Sequence, residues 1–276
     1  MACRTGECPM TRRLRLPLLL LIALALQTAR PASSQTVPAQ PPAGRDALWR
    51  IVHEQCVAGM RQQHDPKPCA QVDLPPAEAE GYAILKDRRG QTQFLLIPTG
   101  RVSGIESPVL LAPDAPNYFA EAWQARHFVM ECAPRPLSRN DISLAVNSAL
   151  NRSQDQLHIH IDCLSSTVRD LLHSHEAGLR THWSPFPVPL EGHSYVALWL
   201  PGEDLGAGNP FKLLAEQLPG ARATMGARTL VVVGLTRRNG QAGFVLLSDQ
   251  ASPDGQDQAY GEELQDHACA AAPPAP

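Results

Sequence analysis

Arg152-Ser-Gln-Asp-Gln-Leu-His-Ile-His-Ile-Asp162 is the stretch on which the reading of this chain turns. Leu157, Ile159 and Ile161 alternate with Gln156, His158, His160 and Asp162, the period-two pattern of a β-strand. Residues two apart on a strand share a face. One face is therefore aliphatic and fit for a core, while the other stacks two imidazoles between an amide and a carboxylate. Imidazole near neutral pH acts as nucleophile, general base or metal ligand. A solvated sheet face would carry the same residues without any function, so the flanking sequence has to decide.

Working outward, residues 141–147 read as a second strand and 148–154 as the turn between the two. Residues 46–60 read as a helix with Leu48, Ile51, Val52 and Cys56 on one side. Residues 81–85 and 93–98 form a hairpin around Asp87-Arg-Arg-Gly90, followed by a loop over 99–107. Pro116 introduces a helix over 117–130, with Phe119, Ala122, Trp123 and His127 facing inward. The whole is α+β: an antiparallel sheet with packed helices. The second half repeats the order weakly, with strands at 194–200, 229–235 and 243–248 and a helix at 211–218. That is the pattern of a duplication whose second copy lost its site, or of two unrelated α+β halves; local periodicity does not separate them.

The N-terminus is a targeting segment. Arg12, Arg13 and Arg15 precede the apolar run Leu16 to Leu26, and Ala32-Ser-Ser34 offers small residues for cleavage. The stretch between Arg15 and Arg30 spans about 21 Å as a helix, short of the roughly 30 Å hydrocarbon core. Residues 1–34 are read as a signal peptide in preference to an N-terminal membrane anchor, and 35–45 as a Pro/Ala-rich linker. Without residues 1–34, which hold five basic residues and one acidic one, the 24 basic and 27 acidic groups fall to 19 and 26, a formal charge of −7. A nucleic-acid binder needs a basic surface, so that class is excluded. The exported part keeps Cys56, Cys69, Cys132, Cys163 and Cys269, where disulfides are permitted and an odd count leaves one thiol free. Cys56 and Cys69 flank a short loop and are expected to pair; a bridge from Cys163 to Cys269 would pin the C-terminal segment beside the site, the alternative being a Cys163 thiolate nucleophile.

Three chemistries fit the histidine strand. His158, His160 and Asp162 resemble the His-x-His-x-Asp run of binuclear metallohydrolases, with His173, His175, His182 or His193 as further ligands, although Cys163 stands where that family carries a histidine. The same polar face, beginning with Gln156, would also serve a non-catalytic nucleotide-binding module. The third chemistry is attack of a neutral imidazole on phosphorus, with nearby donors holding the phosphate oxygens; Asn147, Ser153, Gln154, Gln156 and His160 are available. Here the chain resembles the histidine-triad (HIT) superfamily, whose His-x-His-x-His motif reads Gln156, His158, His160 in this sequence. More closely, it is similar to the CDP-diacylglycerol pyrophosphatase family. The likeness runs through Leu48-Trp-Arg-Ile-Val52, Leu95-Leu-Ile-Pro-Thr99, Gly104-Ile-Glu-Ser-Pro108, Ser143-Leu-Ala-Val-Asn-Ser148, Ser153-Gln-Asp-Gln-Leu-His-Ile-His-Ile161, Phe211-Lys-Leu-Leu-Ala-Glu216 and Gln265-Asp-His267.

The resemblance implies a HIT-like domain over 46–270, with an active half over about 46–180, a degenerate half over about 190–270 and a tail at 271–276. The halves would form an intramolecular pseudo-dimer, or the chain a homodimer. It implies hydrolysis of CDP-diacylglycerol to CMP and phosphatidate, without cofactor or metal, at the periplasmic side of a bacterial inner membrane in phospholipid metabolism. His158 would be the nucleophile, His160 a hydrogen-bond donor to phosphate oxygens, Gln156 the outer triad position, and Asn147 and Ser153 would orient phosphate or leaving group. Asp155 departs from the Asn expected there. Lys86 and Arg101 are candidate diphosphate ligands, though each also suits a solvated turn or loop. Asn147 equally suits a turn. Trp123 and Phe119 read as core, His127 and His267 as structural, and His173 and His175 as surface.

Overall fold

The computed structural model describes residues 44–77, 80–206 and 208–270. The expected signal peptide, nearly all of the linker and the 271–276 tail lie outside the described residues. Among those described, no helix is long and apolar enough to cross a membrane.

The strands are β1 (Gln71–Asp73), β2 (Tyr82–Lys86), β3 (Phe94–Pro98), β4 (Ile142–Val146), β5 (Ile159–Leu164), β6 (Ser184–Pro185), β7 (Val196–Pro201), β8 (Leu230–Thr236), β9 (Ala242–Ser248) and β10 (Gln265–Asp266). They form one 10-stranded antiparallel sheet in the order β1-β2-β3-β5-β4-β8-β9-β7-β6, with β10 pairing β5 beyond the end of β3. The order reads alike outward from the central β4–β8 pair: β5, β3 and β2 on one side, β9, β7 and β6 on the other. Chain order matches too, since each set is a hairpin, two short helices and two further strands. β8 and β9 are near-continuous aliphatic runs because both of their faces are buried.

One sheet face packs Leu144, Ile159, Ile161, Val232 and Leu246 against the helices Tyr118–Gln124 and Pro210–Gln217. A Cβ on Gly234 would come 2.5 Å from the Trp123 ring, so this contact is made by glycine. The opposite face carries two separate apolar clusters. One joins Val52, Cys56, Leu95 and Ile97 beneath the first helical stretch. The other joins Ala145, Val231, Val233 and Leu247 to the helix Ser166–Ser174. His160 lies between them, in register with Leu95 on β3 and Ala145 on β4.

Several expectations are corrected. The histidine strand begins only at Ile159, and Gln156–His158 lead into it. Both its faces are buried, so the polar face is covered by protein. The expected helix over 117–130 is two, Tyr118–Gln124 and His127–Cys132. The break, where the Arg126 guanidinium turns back over the Trp123 ring at 4.4 Å, rotates the second helix so that His127 is exposed and Val129 faces inward. The first helix passes from Ala47–Arg50 through π-helical turns at Ile51–Val57 to Ala58–Gln63. Disulfides join Cys56 to Cys69 and Cys163 to Cys269, so Cys163 is not a thiolate. Nor is Cys132 a free thiol.

Candidate active site

His158 is aimed by the chain just ahead of it. The Gln156 side chain is wholly buried, donating to the carbonyls of Pro98 (3.0 Å) and Gly100 (2.8 Å) and accepting from the Val102 N–H (3.3 Å). The Leu157 N–H is held by the Val102 carbonyl at 2.6 Å. The loop after β3 therefore grips both residues preceding His158. The Gln156 backbone carbonyl lies 2.7 Å from His158 Nδ1. A carbonyl only accepts, so Nδ1 carries the proton and Nε2 keeps its lone pair. Burial first, then the charge of His160, pulls the His158 pKa down to about 4. At neutral pH the ring is an uncharged imidazole in the tautomer a nucleophile requires.

His160 meets His158 edge to face, with ring centroids 4.8 Å apart. Its Nδ1 lies 3.0 Å from Glu262 Oε1, and its Nε2 is buried without a hydrogen-bond partner. Glu262 also accepts from Gln93 Nε2 (3.0 Å) and Asn147 Nδ2 (2.6 Å), and its N–H donates to Asn147 Oδ1 at 3.3 Å. Burial pushes this carboxyl up, but His160, Asn147 and Gln93 together hold it well below the usual range. Glu262 is thus an anion around which His160 and Asn147 are oriented. The sequence reading passed over both Glu262 and Gln93. The available signal was that Glu262 stands three residues before the Gln265-Asp-His267 motif.

The other expected residues divide. Asn147 is brought to the site, lining a small hollow with Gly104, Val146, Arg152, Gln156 and His158. Arg152, whose cation lowers the His158 pKa as a lesser contribution, was likewise unassigned in the sequence. It is tied to Glu106 at 2.6 Å and packs so closely on Gly104 that a Cβ there would collide with it. Asp155 turns away to bind Arg45 (2.6 Å) and Arg152 (3.2 Å), and Arg45 foremost brings its pKa down to about 2. It therefore takes no donor from the histidines. Ser153 is exposed in the lead-in. Lys86, in register with Phe94, donates to the Asp87 and Gly90 carbonyls and closes its own turn. Arg101 pairs with Asp46 and stacks over Trp49 at 5.1 Å. None of these three is held against His158 by a side-chain contact of its own.

Asp162 does not join the histidines as a ligand. Its oxygens accept from Thr92 (2.7 Å), the Cys163 N–H (2.9 Å) and His267 Nδ1 (2.8 Å). Among the described residues, the convergent ligand sets are Asp162–Cys163–Cys269, whose sulfurs are joined in a disulfide, and His193–Asp249–Asp257. His267 ties the C-terminal segment to β5, a structural part.

A family model described as CDP-diacylglycerol pyrophosphatase matches residues 43–273. A curated relative from Yersinia pestis, named CDP-diacylglycerol pyrophosphatase, is 47% identical over 231 residues, covering 84% of this chain and 86% of the relative.

Proposed function

The chain belongs to the CDP-diacylglycerol pyrophosphatase family, and from that premise we propose that it hydrolyses CDP-diacylglycerol to CMP and phosphatidate with His158 as nucleophile. The observation that carries this reading is the His158 Nδ1 to Gln156 carbonyl contact of 2.7 Å, which leaves Nε2 as a free lone pair on an uncharged ring. Nε2 attacks the cytidine-side phosphorus. A P–N bond forms, the bond to the bridging oxygen breaks, and phosphatidate departs with the electron pair. Water then attacks the cytidylyl-histidine, its proton is lost, and the P–N electrons return to Nε2 as CMP leaves.

With Glu262 and Gln93 on its Nδ1 edge, His160 turns Nε2 to a non-bridging oxygen and donates to it, giving the buried nitrogen its missing partner. Asn147 and Glu262 hold that arrangement, and Arg152 supplies positive charge beside the hollow. Gln156 acts through its backbone, while its side chain fixes the loop over 98–102.

The mirrored strand order about β4–β8 supports reading the chain as two HIT-like halves forming a pseudo-dimer, the first carrying the site and the second contributing Glu262. On the same reading the exported domain works on a membrane-borne liponucleotide at the cell envelope, in phospholipid turnover.

The test is CMP release from CDP-diacylglycerol in detergent micelles by the purified domain in excess EDTA. The reading expects sustained release of CMP with phosphatidate, lost in His158→Ala. Turnover by His158→Ala equal to the parent would overturn the mechanism. Saturable nucleotide binding with no CMP released would leave a binding module.

A further inference from the structure

A second cluster sits at the same end of the sheet as His158, independent of the histidine chemistry. His193 precedes β7, Asp249 directly follows β9, and Asp257 lies in the loop beyond. Together they offer one ligand atom each within 4.8 Å of one another. His193 Nδ1 is 2.6 Å from Asp257 Oδ2, and the other Asp257 oxygen is held by the Ala259 N–H at 2.8 Å. Asp249 Oδ1 accepts from the Gln250 N–H at 2.6 Å. Its Oδ2 receives no N–H or hydroxyl donor, although the residue is only 6% exposed, and the carboxyl lies against that of Asp257. A buried carboxylate oxygen left bare is costly and rare. All three residues line a cavity of about 660 Å³. Arg228 lines it too, but its Nε and Nη2 are taken by Thr224 and Gln250.

We infer that His193, Asp249 and Asp257 form a divalent-cation site, taking an ion of the Mn²⁺ or Zn²⁺ class. One imidazole nitrogen and two carboxylates are the donor set such ions accept, and the cavity leaves positions for water or an oxygen ligand. The ion replaces the proton now between His193 Nδ1 and Asp257 Oδ2, and that proton passes to solvent. Asp249 Oδ2 gains the partner it lacks. An outer-shell carboxylate stands close by, at ion-pair distance. His193 Nε2 faces Glu263 Oε2 at 3.6 Å, the carboxylate that a metal-bound histidine ordinarily finds on its far nitrogen, and Glu263 is itself held by the Tyr195 hydroxyl at 2.8 Å.

The experiment is a Mn²⁺ titration of the full chain after dialysis against EDTA, followed by electron paramagnetic resonance. Expected is one bound ion per chain with a spin-echo nitrogen coupling from a single imidazole. Asp249→Asn should weaken binding by about tenfold or more, since loss of an outer-shell partner alone costs roughly 10–100-fold. His158→Ala should keep both binding and coupling. No bound Mn²⁺, or bound Mn²⁺ without nitrogen coupling, would overturn the site, and both are read on the parent protein whatever the variants do. Unchanged affinity in an Asp249→Asn protein with the parent's melting temperature would also overturn it, as would loss of the ion in His158→Ala. These readouts involve no turnover, so they stand apart from the fate of the hydrolase reading.

Discussion

At the scale of single residues, the contrast between His158 and His160 is set by what each Nδ1 faces: a backbone carbonyl for one, a carboxylate for the other. The carbonyl fixes a neutral tautomer, and burial keeps it neutral down to about pH 4. On the proposed mechanism the lone pair is lost when His158 takes a proton, so activity should fall progressively below that pKa and rise as pH climbs through it. The acid limb of kcat/KM should therefore centre near 4; a limb centred near 6.5 would point to another group. Replacing His160 with Ala should lower kcat by about 10² or more. Glu262→Gln keeps the shape but removes the anion, a loss of about 1.5–3 kcal/mol for a charged hydrogen bond, or roughly 10–100-fold in kcat. Glu262→Gln with full kcat and an unchanged pH profile would demote that carboxylate to packing. His158 and His160 were legible as candidates because alternation aligns them along the run Gln156–Asp162, although His158 stands just ahead of the strand. Glu262 was not, since it meets Asn147 across 115 residues and no local pattern spans that separation.

Among the elements, the loop after β3 and the lead-in to β5 behave as one piece, stapled by the buried Gln156 amide. Gln156→Ala leaves the Pro98 and Gly100 carbonyls and the Val102 N–H without that partner. A stability loss of about 1–3 kcal/mol follows for each buried group left unpaired, visible as a lower urea midpoint. The slope should not change, because the surface exposed on unfolding is the same. The same staple explains why the alternating pattern outran the strand: residues 156–158 spend their hydrogen bonds on a loop, so β5 begins at Ile159. Alternation identified the polar face but not its cover. Thr92 and Gln93 from one side, with Glu262 and His267 from the other, close over it through tertiary contacts. In the helix over 117–130 the 3.6-residue pattern held as far as Trp123 and failed at His127, where a turn intervenes that helical spacing does not encode.

For the whole molecule, the Cys163–Cys269 bridge closes a span of 106 residues, whereas Cys56–Cys69 closes 13. In the chain-entropy view the longer loop is worth about 5 kcal/mol and the shorter about 3. Cys269→Ser should thus lower the melting temperature more than Cys69→Ser does. It should also lower kcat, because β10 and the neighbouring Glu262 lose their tether to β5; equal kcat would mean that β10 pairing alone holds the segment. The central β4–β8 ladder binds the two sets of strands into one sheet, which is why the sequence's weak internal repetition was real as element order yet silent about the join. Glu262 gives this architecture a schedule. A ribosome finishes His158 and His160 long before it reaches the carboxylate that orients His160, 115 residues beyond Asn147. On the proposed mechanism a half-made chain, or one clipped short of residue 262, would carry its nucleophile but have no anion behind the histidine that donates to phosphate, so hydrolysis would wait until translation is nearly done.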